Sequence, residues 1–483
     1  MADMSENNIH TSGLESVRAG WVARVTRSRW FATVVWTLRV LIGSLFVMSG
    51  LVKGIDLWGF IFKIEDYLAV WGFTEPRSLV LMGALLISGY EFVFGFMLAT
   101  GCYKRVAVWA LTAMMAVMLP LSAYIAIANP VSDCGCFGDF WIISNTWTFI
   151  KNILISAALI FLLIFNRRLR VGMYQPAIQW IVGAWISLYF IIVALYGYNV
   201  QPMADFRPYP VGAYLVENND DEDSAGDVEA EEADEDVSED DMTFIYERDG
   251  EQREFTIDDL PDSTWTFVER VESDMQGADG GKAEGTDFVV YDADGEDVTY
   301  EAITGAGTEL LLVIPEPRRI DISYTYFLNE LKQWADTSDV RITCLIASDR
   351  RGIAYWKDVS MAAYDVFSAE DTKLKELSRG TMSLVELKDG RVVAKYTLSS
   401  IDGDILDEGP SGKDLLSRMV PMPKAWFKAL TGFFGVALLL LYLFQSLVLA
   451  VSARIRGFYQ KKAVNLQAKS KDAAAGPDRE AES

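Results

Sequence analysis

Six apolar runs of about twenty residues constrain this chain more than any other feature; they cover residues 31–52, 79–100, 106–128, 149–165, 178–195 and 429–453. A hydrocarbon core about 30 Å thick takes about 20 helical residues to cross. The expected fold class is therefore a mainly α membrane protein with six spans. Between the first two runs, residues 56–73 are apolar but carry Lys63, Glu65 and Asp66. That pattern suits an amphipathic interfacial helix or a re-entrant piece.

Direction follows from the basic residues, because cytoplasmic loops near membrane helices carry the Lys/Arg excess. Arg24, Arg27 and Arg29 precede the first run, and Lys104 and Arg105 join the second to the third. Arg167, Arg168 and Arg170 join the fourth to the fifth, while Arg454, Arg456, Lys461 and Lys462 follow the sixth. If all six runs span, every cluster falls on one side. The loop holding Cys134 and Cys136, and residues 198–424, then face away from the cytoplasm, as expected of a bacterial inner-membrane protein with a periplasmic region. The polar lead before the first run is too long for a cleavable secretion signal.

The net charge of -24 sits beside 51% hydrophobic residues, so acidic and apolar stretches must be segregated. The lone histidine, His10, lies in the N-terminal tail, which removes imidazole-dependent hydrolysis and His-rich metal sites. No phosphate-binding GxxxxGK[ST] loop occurs, and the acidic balance disfavours nucleic acid as a partner. The remaining reactive side chains are four cysteines.

Six regions are expected. They are a cytoplasmic tail (1–30), a five-span bundle (31–197), a lead-in with an acidic linker (198–241), an extracytoplasmic α/β domain (242–424), a sixth span (425–453) and a second cytoplasmic tail (454–483). Residues 217–241 contain no Lys or Arg, which predicts a solvated linker. Further on, 309–314 and 341–347 read as buried strands, 323–334 and 371–378 as helices, and Lys388-Asp389-Gly390 as the turn of a hairpin. Strand, helix, strand, helix, hairpin is a thioredoxin-like order, and the stretch Arg379-Gly380-Thr381-Met382-Ser383-Leu384 resembles that family's final loop and hairpin. Met382 stands where that family has proline. Pro315-Glu316-Pro317 follows the first strand, where a dithiol would be expected. The resemblance thus implies the shape without CxxC chemistry. Cys344, inside an apolar strand, reads as a buried structural thiol.

A second resemblance rests on the bundle. Arg39, Gly43, Phe46, Ser49, Gly50, Lys53 and Asp56 on the first run, and Glu91, Gly95, Leu98 and Gly101 on the second, precede Asn129-Pro130-Val131-Ser132-Asp133-Cys134-Gly135-Cys136-Phe137-Gly138-Asp139. Thr148, Phe149, Lys151 and Asn152 follow, and later Asp205-Phe206-Arg207-Pro208-Tyr209. Together they resemble a DoxX/MauE-type membrane protein of the Bacteroides-type subfamily with a large C-terminal periplasmic region. The resemblance implies a four-helix core related to MauE, a protein linked to methylamine dehydrogenase maturation and to disulfide formation beside a thioredoxin-like partner. Here that partner would be fused to the bundle.

The chemistry of Cys134 and Cys136 can be argued independently. Two thiols separated by one glycine close only a small strained ring, and strain makes a disulfide more oxidising. Gly135 and Gly138 permit unusual backbone angles. Asp133 and Asp139 oppose thiolate formation. Three readings stay open: a pair that pins a loop, a redox-exchanging pair, and soft-metal ligation, which would need ligands the loop lacks. Cys102 belongs to the cytoplasmic side and is not expected to join them.

Arg39 and Glu91 are the ionisable groups deepest in the spans, expected to face the bundle interior and to pair, with Lys53 beside Asp56. They act either as architectural ion pairs or as a site for protons or a quinone head. Three functions follow. The first is a membrane thiol-disulfide oxidoreductase or maturation factor acting on periplasmic proteins. The second is a non-enzymatic anchor presenting the α/β domain. The third is a quinone-associated respiratory subunit. The third would require a partner carrying the redox cofactor, quinone is the one cofactor considered for the chain itself, and all three have the lipid bilayer as a partner.

Overall fold

The computed structural model describes residues 29–73, 76–129, 135, 138–141, 143–165, 172–216, 243–248, 251–256, 266–271, 288–406, 414–419 and 423–474. Within this set six helices are long and apolar enough to cross a membrane. They are α1 (Arg29–Ile55), α3 (Arg77–Thr100), α4 (Lys104–Ala128), α5 (Asn145–Ile164), α6 (Gln179–Asn199) and α10 (Pro423–Ala474); α2 (Leu57–Val70) lies between the first two. Each coincides with an apolar run expected to span, and α2 with the charged apolar piece between them.

Small residues let α1 and α3 touch backbone to backbone. A Cβ on Gly50 would lie 2.5 Å from the amide N of Phe92, and one on Gly43 would lie 2.6 Å from that of Ala99. Lipid offers no hydrophobic drive for helix association, so such close packing is what holds spans together. Aromatic rings seat α10 on α6, with Tyr189 and Phe434 centroids 4.2 Å apart. The helix then continues past the expected span end at 453 to Ala474. Its sequence there is rich in Lys and Ala, with Arg and Gln beside them, all strong helix formers.

Two β regions follow. Strands β1 (Thr243–Arg248), β2 (Glu251–Thr256) and β3 (Thr266–Val271) form an antiparallel sheet in the order β2-β1-β3, within a compact unit of its own covering residues 216–287. The expected single domain 242–424 thus holds two sheets. The second sheet contains β4 (Val290–Tyr291), β5 (Thr308–Ile314), β6 (Arg341–Ile346), β7 (Asp365–Ala369), β8 (Ser383–Lys388) and β9 (Arg391–Thr397). Its order is β4-β7-β6-β5-β8-β9, with β5, β6 and β7 parallel and β8 and β9 antiparallel to their neighbours. Helices α7 (Thr325–Ser338), α8 (Arg350–Ser360) and α9 (Asp371–Leu377) connect the parallel strands and lead into β8.

Central β5 reads as a continuous apolar run because both its faces are covered. Asp389 and Gly390 take positive φ values of 50° and 73° in the β8–β9 turn. This is the twist-compatible hairpin that an Asp-Gly pair favours. Residues 201–216 run along the outer side of β9, where the Gly212 N–H donates to the Val392 carbonyl and the Leu215 N–H to that of Gly390.

Candidate functional site: a charged cavity in the helical bundle

Ser49 and Lys53 lie four residues apart on one face of α1 and meet Glu91 of α3. The Lys53 ammonium donates to both Glu91 oxygens at 2.8 Å and to Ser49 Oγ at 3.3 Å. Ser49 Oγ donates to Glu91 Oε2 at 2.7 Å. Lys53 and Glu91 side chains are only 5% and 6% exposed. Taking such charges out of water is costly unless each is fully partnered, and this triad partners them.

The triad lines a cavity of about 170 Å³. Phe46, Ile64, Met115, Met118 and Ile125 make its walls mostly apolar; Lys151 and Asn152 of α5, Ser122 of α4 and Tyr67 of α2 add polar groups, and Gly135 also lines it. Asn152 is buried, and its amide makes no hydrogen bond among the described residues. One turn earlier on α5, the buried Thr148 hydroxyl also has no partner there.

Gly135 is buried at φ +65° against the Lys63 stem, and the Gly138 amide closes a turn onto its carbonyl at 3.1 Å. The two ends of this connection are tied by Asn145 Nδ2 donating to Asn129 Oδ1 at 2.6 Å. Cys134, Cys136 and Asp133 lie outside the described residues, as does the Asp139 side chain.

Arg39 does not meet Glu91. Fourteen residues of α1 separate it from Lys53, about 21 Å of helix. Its guanidinium lies instead against Gly101, where α3 ends, and its Nε has no hydrogen-bond partner among the described residues. The negative end of the α3 dipole suits a cation there. Cys102 is a free, buried thiol beside it, and burial raises its pKa. The length of α4, about 37 Å, keeps Cys102 from the Gly135 loop.

Lys53 pairs with Glu91, while Asp56, three residues on, takes a different partner. Asp56 caps α2 by accepting the Gly59 N–H at 3.0 Å, and it forms a fork-like pair with Arg379 of the six-stranded domain, closest at 2.6 Å. Burial works against this carboxylate, but Arg379 outweighs it and holds the pKa below the usual range. Nearby, Arg77 joins Glu65 of α2 to Glu316 at 2.9 and 2.6 Å, and Arg319 reaches Glu65 at 3.0 Å.

A third cluster fixes the lead-in segment. Arg207 and Lys395 both donate to Asp205, at 2.6 and 2.8 Å. Burial, with Arg207 close by, lowers the Lys395 pKa to about 7, although Asp205 acts in the opposite sense. These interdomain clusters were not foreseen, since nothing local in the sequence pairs residues 190 to 323 positions apart.

Residues 31–165 match the family model of the methylamine utilisation protein MauE, a membrane family, and residues 241–273 match a model described as Domain of unknown function (DUF8463). No curated protein matches the chain. The MauE match takes in α1 to α5 and the cavity. With its six apolar helices, the chain is a multi-pass membrane protein that is MauE-like over that stretch.

Proposed function

We propose that this MauE-like membrane protein performs thiol-disulfide exchange, or matures proteins outside the cytoplasm, through Cys134 and Cys136. One observation carries the reading: Gly135, the residue between the two thiols, is part of the wall of the cavity that holds Lys53 and Glu91. Consecutive Cα atoms are about 3.8 Å apart, so both cysteines are bonded directly to that wall. In the exchange, a substrate thiolate attacks one sulfur of the Cys134–Cys136 disulfide. A second substrate thiol resolves the mixed disulfide. Two electrons pass to the pair, which leaves as a dithiol.

Under this reading the six-stranded domain is thioredoxin-like and lies outside the cytoplasm. The order β6-β5-β8-β9, with β5 parallel to β6 and antiparallel to β8, supports the fold. The basic clusters support the direction. Cys344, the domain's cysteine, is fully buried and its thiol pKa is raised by burial, so it takes no part in exchange. The domain positions a substrate instead.

Alkylation and mass spectrometry on intact membranes, before and after mild reduction, test the proposal. Cys134 and Cys136 are expected to be protected at first and modified afterwards. Thiols that label fully without reductant would end it.

A second reading, a non-enzymatic anchor, is favoured by a polar cleft of about 790 Å³ lined by Glu316, Arg318, Arg319, Ser348, Asp349 and Lys375. The carboxyl ends of parallel strands are where α/β sheets bind ligands. On this reading, replacing both Cys134 and Cys136 by serine leaves function intact, and excising residues 242–424 abolishes it.

A further inference from the structure

At the end of the bundle where α3 passes into α4, Arg39 is a buried cation without a counter-ion among the described residues. It is 4% exposed and makes no hydrogen bond or ion pair there. A guanidinium is all donor and never loses its charge, so burying it unpaired is costly. Unsatisfied buried groups of this size call for an explanation, a missing ion among them.

Snorkelling does not supply one. An arginine that only reached for the membrane surface would expose its tip. Here the backbone is shaped to keep the tip in. Gly101 takes φ +77°, and a Cβ on it would lie 2.8 Å from Arg39 Nη1. Gly172 closes over the same turn, where a Cβ would lie 2.3 Å from the Gly101 carbonyl oxygen. The C-terminus of α3 offers about half a negative charge. Cys102 offers none, since burial raises its pKa and keeps the thiol protonated.

The next residues add positive charge instead of compensating it. Lys104 and Arg105 open α4, and Lys104 is repelled by both Arg39 and Arg105. Arg105 is exposed and has no ion pair among the described residues. Tyr103 precedes α4 at φ 40° and gives it no side-chain cap, while its own N–H donates to Gln179 Oε1 at 2.9 Å. An uncapped helix N-terminus presents its first amides to an anion. Arg39 Nη1 is aimed at Gly101, three residues before that helix begins.

The group that suits this turn is anionic and rich in acceptor oxygens, because it must meet a buried guanidinium on one side and amides with two cations on the other. Phosphate matches the planar fork of arginine and has oxygens to spare for the rest. We infer that the α3–α4 turn binds a phosphate group, carried by a phospholipid headgroup or free in solution, with Arg39 as its buried anchor and Lys104, Arg105 and the first amides of α4 as its outer donors. Basic pockets between membrane helices are a known setting for anionic headgroups. The site is independent of the thiol-exchange reading, because it lies at the opposite end of α4 from the Gly135 loop.

The test uses the full chain, delipidated in dodecyl maltoside and titrated by calorimetry with dihexanoyl phosphatidylglycerol and, separately, with sodium phosphate at matched ionic strength. Saturable one-to-one binding is expected in wild type. Arg39→Met should weaken it about tenfold or more, Arg39→Lys, which keeps the charge but loses the fork, by less, and Lys104→Gln with Arg105→Gln about tenfold. Arg318→Gln, which removes an exposed arginine of the six-stranded domain, should leave it unchanged. Ligand should also raise the thermal unfolding temperature of wild type and leave that of Arg39→Met where it was. If Arg39→Met folds poorly, the Lys104/Arg105 variant carries the comparison.

Phosphatidylglycerol that excess phosphate fails to displace identifies the lipid as the source, and ready displacement identifies free phosphate; both support the site. Equal binding in wild type, Arg39→Met and the Lys104/Arg105 variant, or no saturable binding of either ligand, overturns the inference. Displacement by acetate as readily as by phosphate likewise overturns it in favour of a carboxylate site.

Discussion

Two buried charge clusters in this molecule follow opposite rules. In the bundle, one cation and one carboxylate, Lys53 and Glu91, pair directly and open onto a cavity that Lys151 also lines. Where the bundle meets the six-stranded domain, three cations, Arg379, Arg207 and Lys395, share two carboxylates, Asp56 and Asp205, and are enclosed by protein. The first pair is self-satisfied, and the Asn152 amide beside it makes no hydrogen bond among the described residues. The second is in surplus by one positive charge, and it relieves that surplus by pushing Lys395 toward neutrality. The bundle cluster is therefore suited to a ligand, and the interdomain cluster to holding two parts of the chain together.

The largest effect should come from breaking the bundle pair. Lys53→Met strands Glu91 in an apolar wall, which costs about 3 to 5 kcal/mol, whereas Lys53→Met with Glu91→Leu should recover most of that loss. Thermal unfolding in detergent measures both variants. A double variant as unstable as the summed singles would mean that the two charges do not act as a pair.

Arg379→Leu breaks the corresponding contact between the domains and should cost less, about 2 to 3 kcal/mol, because Asp56 keeps the Gly59 N–H and is itself 9% exposed. Hydrogen exchange should rise across α9 and β9, while alkylation of Cys134 and Cys136 stays as in wild type. Loss of thiol reactivity on this substitution would show that the two clusters are coupled rather than distinct.

How much of this was legible in the chain depends on the range of the signal. The spans and the Asp389-Gly390 hairpin are local patterns, and each appears where its pattern stands. Strand β7 and helix α8 were not legible. The apolar face of α8 is reduced to Ile353 and Trp356 among charged neighbours, and β7 is a five-residue strand with mixed burial. Glu91 was recognisable as an expensive intramembrane charge, but its partner was not. Lys53, near the end of α1, reads as interfacial until α3 is laid against it. Arg379 and Asp56, 323 positions apart, carry no mutual sequence signal.

The surplus cation makes a pH prediction with a definite sign. Lys395 titrates near 7 when folded, against 10.5 ordinarily. Between those values the unfolded chain binds a proton that the folded one lacks, so stability rises with pH from about 7 to about 10.5. Below about 7 both states are protonated, the slope vanishes and the penalty is at its full size. Asp56 and Asp205, with pKa values held below 3.8, contribute at all these pH values and lose their contribution only in acid. Lys395→Met should flatten the slope in chemical unfolding monitored from pH 6.5 to 10. An unchanged slope would assign the dependence to another group.

The smallest effect tests whether the cavity and the thiols belong together. Gly135 has φ +65°, a conformation that costs an ordinary residue about 1 to 2 kcal/mol. Its added Cβ would meet the Lys63 Cγ at 3.2 Å, and that stem is flexible enough to yield. Gly135→Ala should therefore lower global stability only slightly, about 1 kcal/mol, while altering the backbone that joins Cys134 to Cys136. If the thiols and the cavity form one site, this variant shifts the reduction potential of the pair, and Met118→Phe, which fills the cavity, shifts it too. A Gly138→Ala control, at φ +54° with only Val52 near, at 3.9 Å, among the described residues, carries a similar backbone strain but is not among the residues lining the cavity. Equal shifts in the two glycine variants would trace the effect to general loop strain and separate the thiols from the cavity.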